Sequence, residues 1–298
     1  MKRPIKIVLI GAGSTYTPEL IEGLINKRKD LELRELALMD IDSEKLEIVG
    51  SMARRMLQAA EISWPVNFYD SYDCVAGADY VITQIRVGQM TARINDEKIP
   101  LKYGMIGQET CGIGGFFKAM RTIHVLYKIA DKMRELCPDA VMINFTNPSG
   151  IVAQAMLQKP VRSVGLCNCP FAMEKSVKET LGLEEAEIDY VGLNHLSWLT
   201  SIRYGGKDYL RQALKDGVNS VAMKNIPANG FDSEILQAVR GIPSTYLEYY
   251  YFKCDKLKKL QNEKLSRGEV CLALEKELLK KYKAPTLCVK PPELARLP

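Results

Sequence analysis

The sequence has little histidine and tryptophan, with two residues of each among 298, and it has no long apolar run. No apolar stretch reaches the roughly 18 residues that a membrane-spanning helix needs. No secretory leader is recognisable either, because Met1 to Pro4 leads directly into a predicted strand. These absences argue against a membrane protein and against an exported one.

Neither the cysteines nor the charges point to a specialised class of protein. The eight cysteines lack the spacing of a zinc ribbon or a small secreted domain, so we expect reduced thiols and a cytoplasmic location. The net charge is +5, but the basic residues are interspersed with acids and form no patch interleaved with aromatics. We therefore expect neither nucleic acid nor a membrane as a partner, whereas an anionic small substrate fits well.

The first forty residues carry the pattern of a dinucleotide site. A short apolar strand, Lys6 to Ile10, is followed at once by Gly11 and Gly13. A predicted helix and a second strand come next, and Asp40 ends that strand. Glycines let the backbone approach a pyrophosphate, and the acid suits a ribose hydroxyl. Tyr16 occupies the place of the third glycine, so a tight turn without a ligand is the alternative.

Predicted strands and helices then alternate as far as a last short strand, Val164 to Leu166, which the apolar side chains predict to be buried. This alternation is typical of an α/β fold, a Rossmann-like doubly wound parallel sheet. We expect residues 1–190 to form this NAD-binding domain. We expect residues 191–298 to form a second, mainly α (α+β) domain for substrate, metal and dimerisation.

Polar side chains gather where predicted strands end. Asn144 and Asn147 suit a polyol or a nicotinamide amide, or they form the turn before Pro148. Cys167 ends the last strand, and His195 follows a later apolar segment. One thiol and one imidazole are half of a metal site, although a buried cysteine is more often inert packing. The tyrosines between residues 246 and 251 are packing residues, or one phenol near a cation serves as a base.

Eight short motifs follow one another along the chain. They are Gly11-Ala-Gly13-Ser14, Asp40-Ile-Asp42, Gln84-Ile-Arg86-Val-Gly88 with Arg93, Gly107-Gln-Glu109-Thr110, Asn144-Phe-Thr-Asn147-Pro148, Cys167-Asn168-Cys169-Pro170, Gly192-Leu-Asn-His195 and Ile242-Pro-Ser-Thr-Tyr246-Leu247. Together they resemble the family 4 glycoside hydrolases, which are NAD- and divalent-metal-dependent glycosidases, and in particular the 6-phospho-β-glucosidases.

The resemblance implies a hydrolysis that departs from the usual scheme of two carboxylates. NAD+ oxidises C3 of the sugar, which acidifies the C2 proton; a base removes that proton and the aglycone leaves C1. Water then adds, and NADH returns the hydride. The implied substrate is a phosphorylated disaccharide or aryl glucoside, and the family's full-length members imply a homo-oligomer.

The resemblance also implies roles for individual residues. NAD would lie against Gly11, Gly13, Ser14 and Asp40. Cys167 and His195 would hold Mn2+ or another divalent metal, and Tyr246 would be the base. The substrate would be bound by Arg93, Glu109, Asn147 and Asn168.

Two departures qualify the resemblance. Asn168 stands where members acting on α-linked substrates have an aspartic acid, and an amide cannot protonate a leaving group, so the β subgroup is favoured. The chain stops soon after Pro292, where family members continue, so we expect a C-terminal truncation and an incomplete second domain. The alternatives are therefore an NAD-dependent 2-hydroxy-acid dehydrogenase of the lactate or malate kind, and an inactive NAD-binding remnant.

Overall fold

A computed structural model describes residues 3–218 and 230–293. The chain divides into two compact units. Of the described residues, the first unit takes 3–100, 107–166 and 264–293, and the second takes 101–106, 167–218 and 230–263. The sequence-based boundary after residue 190 concerns domains rather than compact units, and it stays a prediction.

The first unit is built on a six-stranded parallel sheet with the strand order β3-β2-β1-β4-β5-β6. The strands are β1 Ile5–Ile10, β2 Leu33–Met39, β3 Val66–Tyr69, β4 Tyr80–Thr83, β5 Val141–Asn144 and β6 Arg162–Gly165. The strand order reverses between β1 and β4. Open α/β sheets bind ligands at such a reversal, beyond the carboxyl ends of the strands.

Helices cover both faces of this sheet, as the sequence predicts for a doubly wound fold. They are α1 Thr17–Asn26 and α2 Ser43–Ala59 on one face, and α4 Gly112–Leu136, α5 Ser149–Met156 and a short 3-10 helix at Tyr72–Val75 on the other. Helix α3 spans Gln89–Leu101. Alternate residues of β1 serve different cores: Ile7 and Leu9 pack with α1 and α2, and Val8 and Ile10 with α4 and α5. The predicted fold class is confirmed.

The last strand of the sheet differs from the expectation. The sequence predicts a buried strand at residues 164–166, but β6 lies at the edge of the sheet. Val164 is 44% exposed and Leu166 47% exposed. That expectation is wrong because apolar composition does not distinguish a central strand from an edge strand.

The second unit combines helices with a small antiparallel sheet, which agrees with the expected α+β character. Its helices are α6 Asn168–Leu181, α7 Leu210–Lys215, α8 Ser233–Val239, α9 Glu248–Tyr251 and α10 Lys253–Asn262, with a 3-10 helix at Thr245–Leu247. Its strands are β7 Glu187–Leu193, β8 Leu196–Tyr204, β9 Lys207–Asp208 and β10 Ile242–Pro243. Strand β8 pairs with the other three.

The last helix, α11, spans Arg267–Tyr282 and belongs to the first unit. Ser266 and Glu269 form a capping box at its start. Its residues Leu278 and Tyr282 pack in the same core as β1, α1 and α2. Helix α11, although distant in sequence, thus completes the helical layer on one face of the parallel sheet.

Within the described ranges, 3–218 and 230–293, no helix has the length and apolar character needed to cross a membrane.

Candidate active-site residues

The loop after β1 requires glycine at two positions. Gly11 has a φ of +92°, and a Cβ there would lie 2.9 Å from the carbonyl carbon of Gln84. A Cβ on Gly13 would lie 2.9 Å from Oδ2 of Asp40. The loop therefore packs closely against the chain that follows β4 and β2, and only glycine fits without displacing backbone or carboxylate.

The residues predicted to bind the cofactor are joined by hydrogen bonds. Asp40 accepts from the backbone amide of Gly13 at 2.8 Å and from that of Asp42 at 3.0 Å. Ser14 Oγ accepts from the amide of Tyr16 at 3.2 Å. Gly11, Gly13 and Ser14 lie in one loop at the switch point of the sheet, and Asp40, at the end of β2, is hydrogen-bonded to that loop. A glycine-containing loop with a carboxylate at the end of the next strand fits a dinucleotide.

Sequence reasoning missed two residues that hold this loop. Gln84, just after β4, donates through Nε2 to the carbonyl oxygen of Gly11 at 3.1 Å and to Thr17 Oγ1 at 2.8 Å. The Thr17 hydroxyl donates in turn to the carbonyl oxygen of Ala12 at 2.8 Å. Gln84 belongs to one of the eight motifs and follows a strand. Both facts could have indicated from the sequence that it contacts the dinucleotide loop.

Glu109 lies buried among three cations. Its carboxylate is paired with Lys118 Nζ at 2.6 Å, with Arg93 Nη1 at 3.0 Å, and with Arg86. Burial by itself would raise the pKa of Glu109, but Arg86, Lys118 and Arg93 outweigh it and hold that pKa well below its usual value. Burial, together with the charge of Arg86, lowers the pKa of Lys118 to about 7, although Glu109 opposes this shift.

Arg93 is built into the same network rather than presented to solvent. It is 6% exposed, and its Nε donates to Glu97 Oε1 at 2.9 Å. Arg93 and Glu109 thus contact each other, and their role toward a substrate stays a prediction. Sequence reasoning missed Lys118, because a lysine in an amphipathic helix ordinarily indicates a solvated face.

The two strand-end asparagines differ in their surroundings. Asn144 is 1% exposed, accepts from the Thr83 hydroxyl at 2.9 Å and donates to the carbonyl oxygen of Thr146 at 3.0 Å. Asn144 therefore shapes the strand end. Asn147 is half-buried in the segment before Pro148, and its predicted contact with substrate stays a prediction.

Cys167 and His195 are brought together as the sequence predicts. Cys167 Sγ lies 3.5 Å from His195 Nε2, and His195 is 7% exposed. Two such ligands on one tetrahedral ion, with bonds of about 2.3 and 2.1 Å, lie about 3.5 Å apart. The pair therefore fits a metal ion. In the part of the chain that the structure describes, no group of three metal-binding side chains occurs, so water or substrate would complete the coordination.

His195 occupies a backbone conformation that non-glycine residues rarely adopt. It lies in the two-residue turn between β7 and β8, where Leu193 pairs with Leu196, and its φ is +63°. A left-handed conformation of this kind costs about 1 kcal/mol or more. Two-residue hairpin turns commonly take a positive φ, and this turn places the buried imidazole against Cys167.

Tyr246 is the tyrosine of its cluster that stacks on this imidazole. The rings of His195 and Tyr246 are parallel within 4°, with centroids 3.6 Å apart. The ring of Tyr249 lies beyond it, 6.0 Å from that of Tyr246. This contact supports the sequence-based choice of Tyr246, whose catalytic role stays a prediction.

Cys169 fastens the turn that carries Tyr246 and was not assigned a role from the sequence. This thiol is 2% exposed and lies 3.7 Å from Ser244 Oγ and 3.8 Å from Thr245 Oγ1. Ser244 Oγ also accepts from the amide of Tyr246 at 3.4 Å. Asn168, the first residue of α6, is exposed, so its amide is accessible as a substrate contact requires.

Two family models match the chain. The model described as "Family 4 glycosyl hydrolase" matches residues 6–183, and the one described as "Family 4 glycosyl hydrolase C-terminal domain" matches residues 190–295. The second match leaves the expected truncation of the second domain without support.

Curated relatives carry related names. The chain is 41% identical to a Bacillus subtilis protein named "Probable 6-phospho-beta-glucosidase", over 99% of this chain and 70% of that protein. It is 38% identical to the Escherichia coli 6-phospho-beta-glucosidase, over 99% of this chain and 69% of that protein.

Solved structures agree in fold and family. The 6-phospho-beta glucosidase from Thermotoga maritima, solved with NAD and glucose-6-phosphate, superposes with a TM-score of 0.89 at 35% identity, over 99% of this chain and 70% of that one. A lactate dehydrogenase from Eimeria maxima, at 15% identity and a TM-score of 0.54, shares the fold alone. The chain belongs to family 4 of the glycosyl hydrolases.

Proposed function

We propose that this chain hydrolyses 6-phospho-β-glucosides and uses NAD and a divalent metal, with Mn2+ as the metal. The observation that carries the proposal is the cluster of Cys167, His195 and Tyr246, in which the imidazole contacts both the thiol and the phenol ring. The Thermotoga maritima enzyme has been solved with manganese, NAD+ and glucose-6-phosphate. That finding supports the same pair of cofactors for this chain.

Each side chain then has a definite task. Gly11, Gly13, Ser14 and Asp40 hold NAD, which would supply an oxidant for C3 of the sugar and so acidify the hydrogen on C2. Cys167 and His195 hold the metal, which would act as a Lewis acid toward the sugar oxygens.

Tyr246 takes the C2 proton, the electron pair of that C–H bond forms a double bond between C1 and C2, and the bond between C1 and the aglycone oxygen breaks with its electron pair leaving on that oxygen. Water then adds across the double bond, its oxygen to C1 and a proton to C2. The phenol is positioned for this task by its stacking on His195. Arg93, Glu109, Asn147 and Asn168 bind the phosphorylated sugar. Charge-assisted hydrogen bonds from arginine suit its phosphate group.

The β-linked substrate class has two supports. Departure of an α-linked leaving group would need a carboxylic acid at position 168 to donate a proton. Asn168 has an amide there, which cannot donate a proton in this way. Relatives named for β-glucosides are 36–41% identical, whereas relatives named for α-glucosides or maltose-phosphate are 31–34% identical.

The dehydrogenase and the inactive remnant, the two alternatives from the sequence, are less well supported. A 2-hydroxy-acid dehydrogenase has no use for the contact between Cys167 and His195, and the likeness to lactate dehydrogenase is a likeness of fold. The inactive remnant depended on an incomplete second domain, for which the family matches give no support.

The proposal includes location and assembly. We place the protein in the cytoplasm, because all eight cysteines are free thiols. We also propose that it assembles as a homo-oligomer. Neither nucleic acid nor membrane is a partner in this proposal.

The test is release of p-nitrophenol from its 6-phospho-β-glucoside under reducing conditions. We expect release that requires both added NAD+ and added Mn2+, with no accumulation of NADH, because the cofactor is oxidised again in each cycle. Oxidation of a 2-hydroxy acid with net NADH formation, and no p-nitrophenol, would instead identify a dehydrogenase.

A cysteine variant tests the metal pair. Cys167→Ser replaces a thiolate by a weak hydroxyl ligand, so we expect Mn2+-dependent release to fall at least 10- to 100-fold. Cys254→Ser is the matched control, since Cys254 is an exposed free thiol. Equal activity of the two variants would remove Cys167 from the metal site.

A further inference from the structure

The last helix of the first unit reaches the dinucleotide loop through one phenol. Tyr282, at the end of α11, is fully buried, and its hydroxyl donates to the carbonyl oxygen of Thr15 at 2.9 Å. Thr15 lies between Gly13 and the start of α1, in the loop that carries the proposed NAD contacts. The bond joins residues 267 positions apart in sequence.

The bond acts on one peptide group that is held from both sides. The carbonyl oxygen of Thr15 accepts from Tyr282, and the amide on the other side of the same peptide, that of Tyr16, donates to Ser14 Oγ at 3.2 Å. A planar peptide with both polar atoms engaged has a defined orientation. The position of Ser14, which we assign to NAD, therefore depends on the partner at the carbonyl end.

Helix α11 is itself fixed where it carries this phenol. The carbonyl oxygen of Tyr282 accepts from Arg55 at 2.6 Å, and Lys45 pairs with Glu275 at 2.7 Å. At the other end of the helix, the amide of Gly268 donates to Glu97 Oε2 at 2.6 Å. The phenol is thus presented to the loop by a helix that is anchored at both ends and in the middle.

The apolar packing points the same way. Tyr282 and Leu278 share a core cluster with Ala12 of the loop and Ile21 of α1. Burial raises the pKa of the Tyr16 phenol. The charges of Glu19 and Cys271 raise it further, and the charge of Arg267 lowers it. The helix therefore packs beside this loop, and Tyr282 bonds to the loop backbone.

We propose that Tyr282 is a positioning residue for NAD: its hydroxyl, held by α11, sets the Thr15–Tyr16 peptide and so pre-organises the loop that receives the pyrophosphate. The inference rests on the proposed NAD dependence. A loop that is already ordered loses less conformational entropy when it binds a ligand. Loss of this hydrogen bond should therefore lower the affinity for NAD.

The test is Tyr282→Phe, which removes one oxygen and keeps the ring in the core. We expect NAD+ affinity, measured by calorimetry without substrate, to fall about five- to tenfold, the worth of one buried hydrogen bond. In turnover, KM for NAD+ should rise by a similar factor while KM for the phosphorylated glucoside and kcat change little. A purely structural role would lower the thermal midpoint without this selective change in KM.

Tyr127→Phe is the matched control. Tyr127 belongs to the same unit, and its hydroxyl donates to the carbonyl oxygen of Ala155 at 3.1 Å, in a helix rather than in the loop. We expect it to bind NAD+ as the unmodified protein does. Equal loss in both variants, or unchanged affinity in Tyr282→Phe, overturns the inference and leaves the proposed function standing.

Hydrogen exchange on the unmodified protein gives a second readout that does not depend on how a variant folds. We expect NAD+ to slow exchange of the backbone amides around Thr15 and of those at the end of α11 together. Protection of the loop without α11 contradicts the inference. An unmodified protein that binds no NAD+ contradicts the proposed function itself.

Discussion

At the scale of single residues, the contact between Tyr246 and His195 is the feature with the most direct chemical consequence. The two rings stack at 3.6 Å, and the imidazole also touches the Cys167 thiol. Thiol and imidazole would hold a divalent cation, and a positive charge favours the deprotonated form of a neighbouring acid. The same contact that orients the phenol would therefore also activate it.

Replacement of Tyr246 by phenylalanine tests the assignment of the base. We expect kcat for p-nitrophenol release to fall about 10²- to 10⁴-fold, the usual worth of a positioned proton acceptor. Binding of Mn2+, measured by electron paramagnetic resonance, should change only a few-fold because the stacked ring is kept.

Tyr249→Phe is the control, since that ring lies 6.0 Å from Tyr246 and keeps its packing without the hydroxyl. We expect it to keep most of its activity. If Tyr249→Phe loses activity and Tyr246→Phe does not, the base has been assigned to the wrong tyrosine.

At the scale of elements, the β7–β8 hairpin sets the position of His195, one of the two proposed metal ligands. The turn holds His195 at a φ of +63°, and Gly192, three residues earlier, has a φ of +128°. A Cβ on Gly192 would lie 2.2 Å from the carbonyl oxygen of Leu196 on the facing strand. The hairpin can therefore close at this register only with glycine there.

The variant Gly192→Ala should displace the hairpin and with it the imidazole. We expect Mn2+ affinity to fall at least tenfold, because the distance between Cys167 and His195 depends on this turn, and we expect a lower thermal midpoint. Gly205→Ala is the control: its φ is +56° and a Cβ there meets nothing within 4 Å. That variant should lose some stability and keep its Mn2+ affinity. Normal Mn2+ binding by Gly192→Ala would show that the hairpin does not hold the metal pair.

At the scale of the whole molecule, the ion cluster around Glu109 links function with stability. One buried carboxylate pairs with Arg86, Arg93 and Lys118, which come from three separate places in the sequence. A buried charge that loses its partner costs far more than a surface ion pair. The cluster therefore makes the folded state sensitive to acid.

The variant Glu109→Gln should lower the free energy of unfolding at pH 7 by about 3–5 kcal/mol, because it removes the carboxylate that faces the buried Lys118 and one of the two carboxylates that face Arg93. The folded pKa of Glu109 is depressed, so its contribution is present above the unfolded value of about 4.3 and is lost as pH falls below it. Denaturant unfolding from pH 7 to pH 2 should show the variant converging on the unmodified protein.

Asp73→Asn is the control for that measurement. Asp73 pairs with Lys132 on the surface, with its side chain 65% exposed, so we expect little change at any pH. A constant gap between Glu109→Gln and the unmodified protein across the whole range would contradict the assigned ionisation of Glu109.

The sequence by itself was sufficient for the fold class, the dinucleotide loop and the family. These depend on local patterns: a strand followed by Gly11 and Gly13, an acid at the end of the next strand, and alternation of strands with helices. Local spacing determines which residues share a loop or a face, so such features can be read from consecutive residues. The pairing of Cys167 with His195 was only suggested by their places beside apolar segments, and it was the family resemblance that implied it.

Only the tertiary structure decided which distant residues meet. The stacking of Tyr246 on His195, the burial of Lys118 against Glu109 and the bond from Tyr282 to Thr15 all join separate segments. It also decided that β6 is an edge strand. Burial and partner choice arise from packing of the whole chain, and no spacing of neighbours in sequence encodes them.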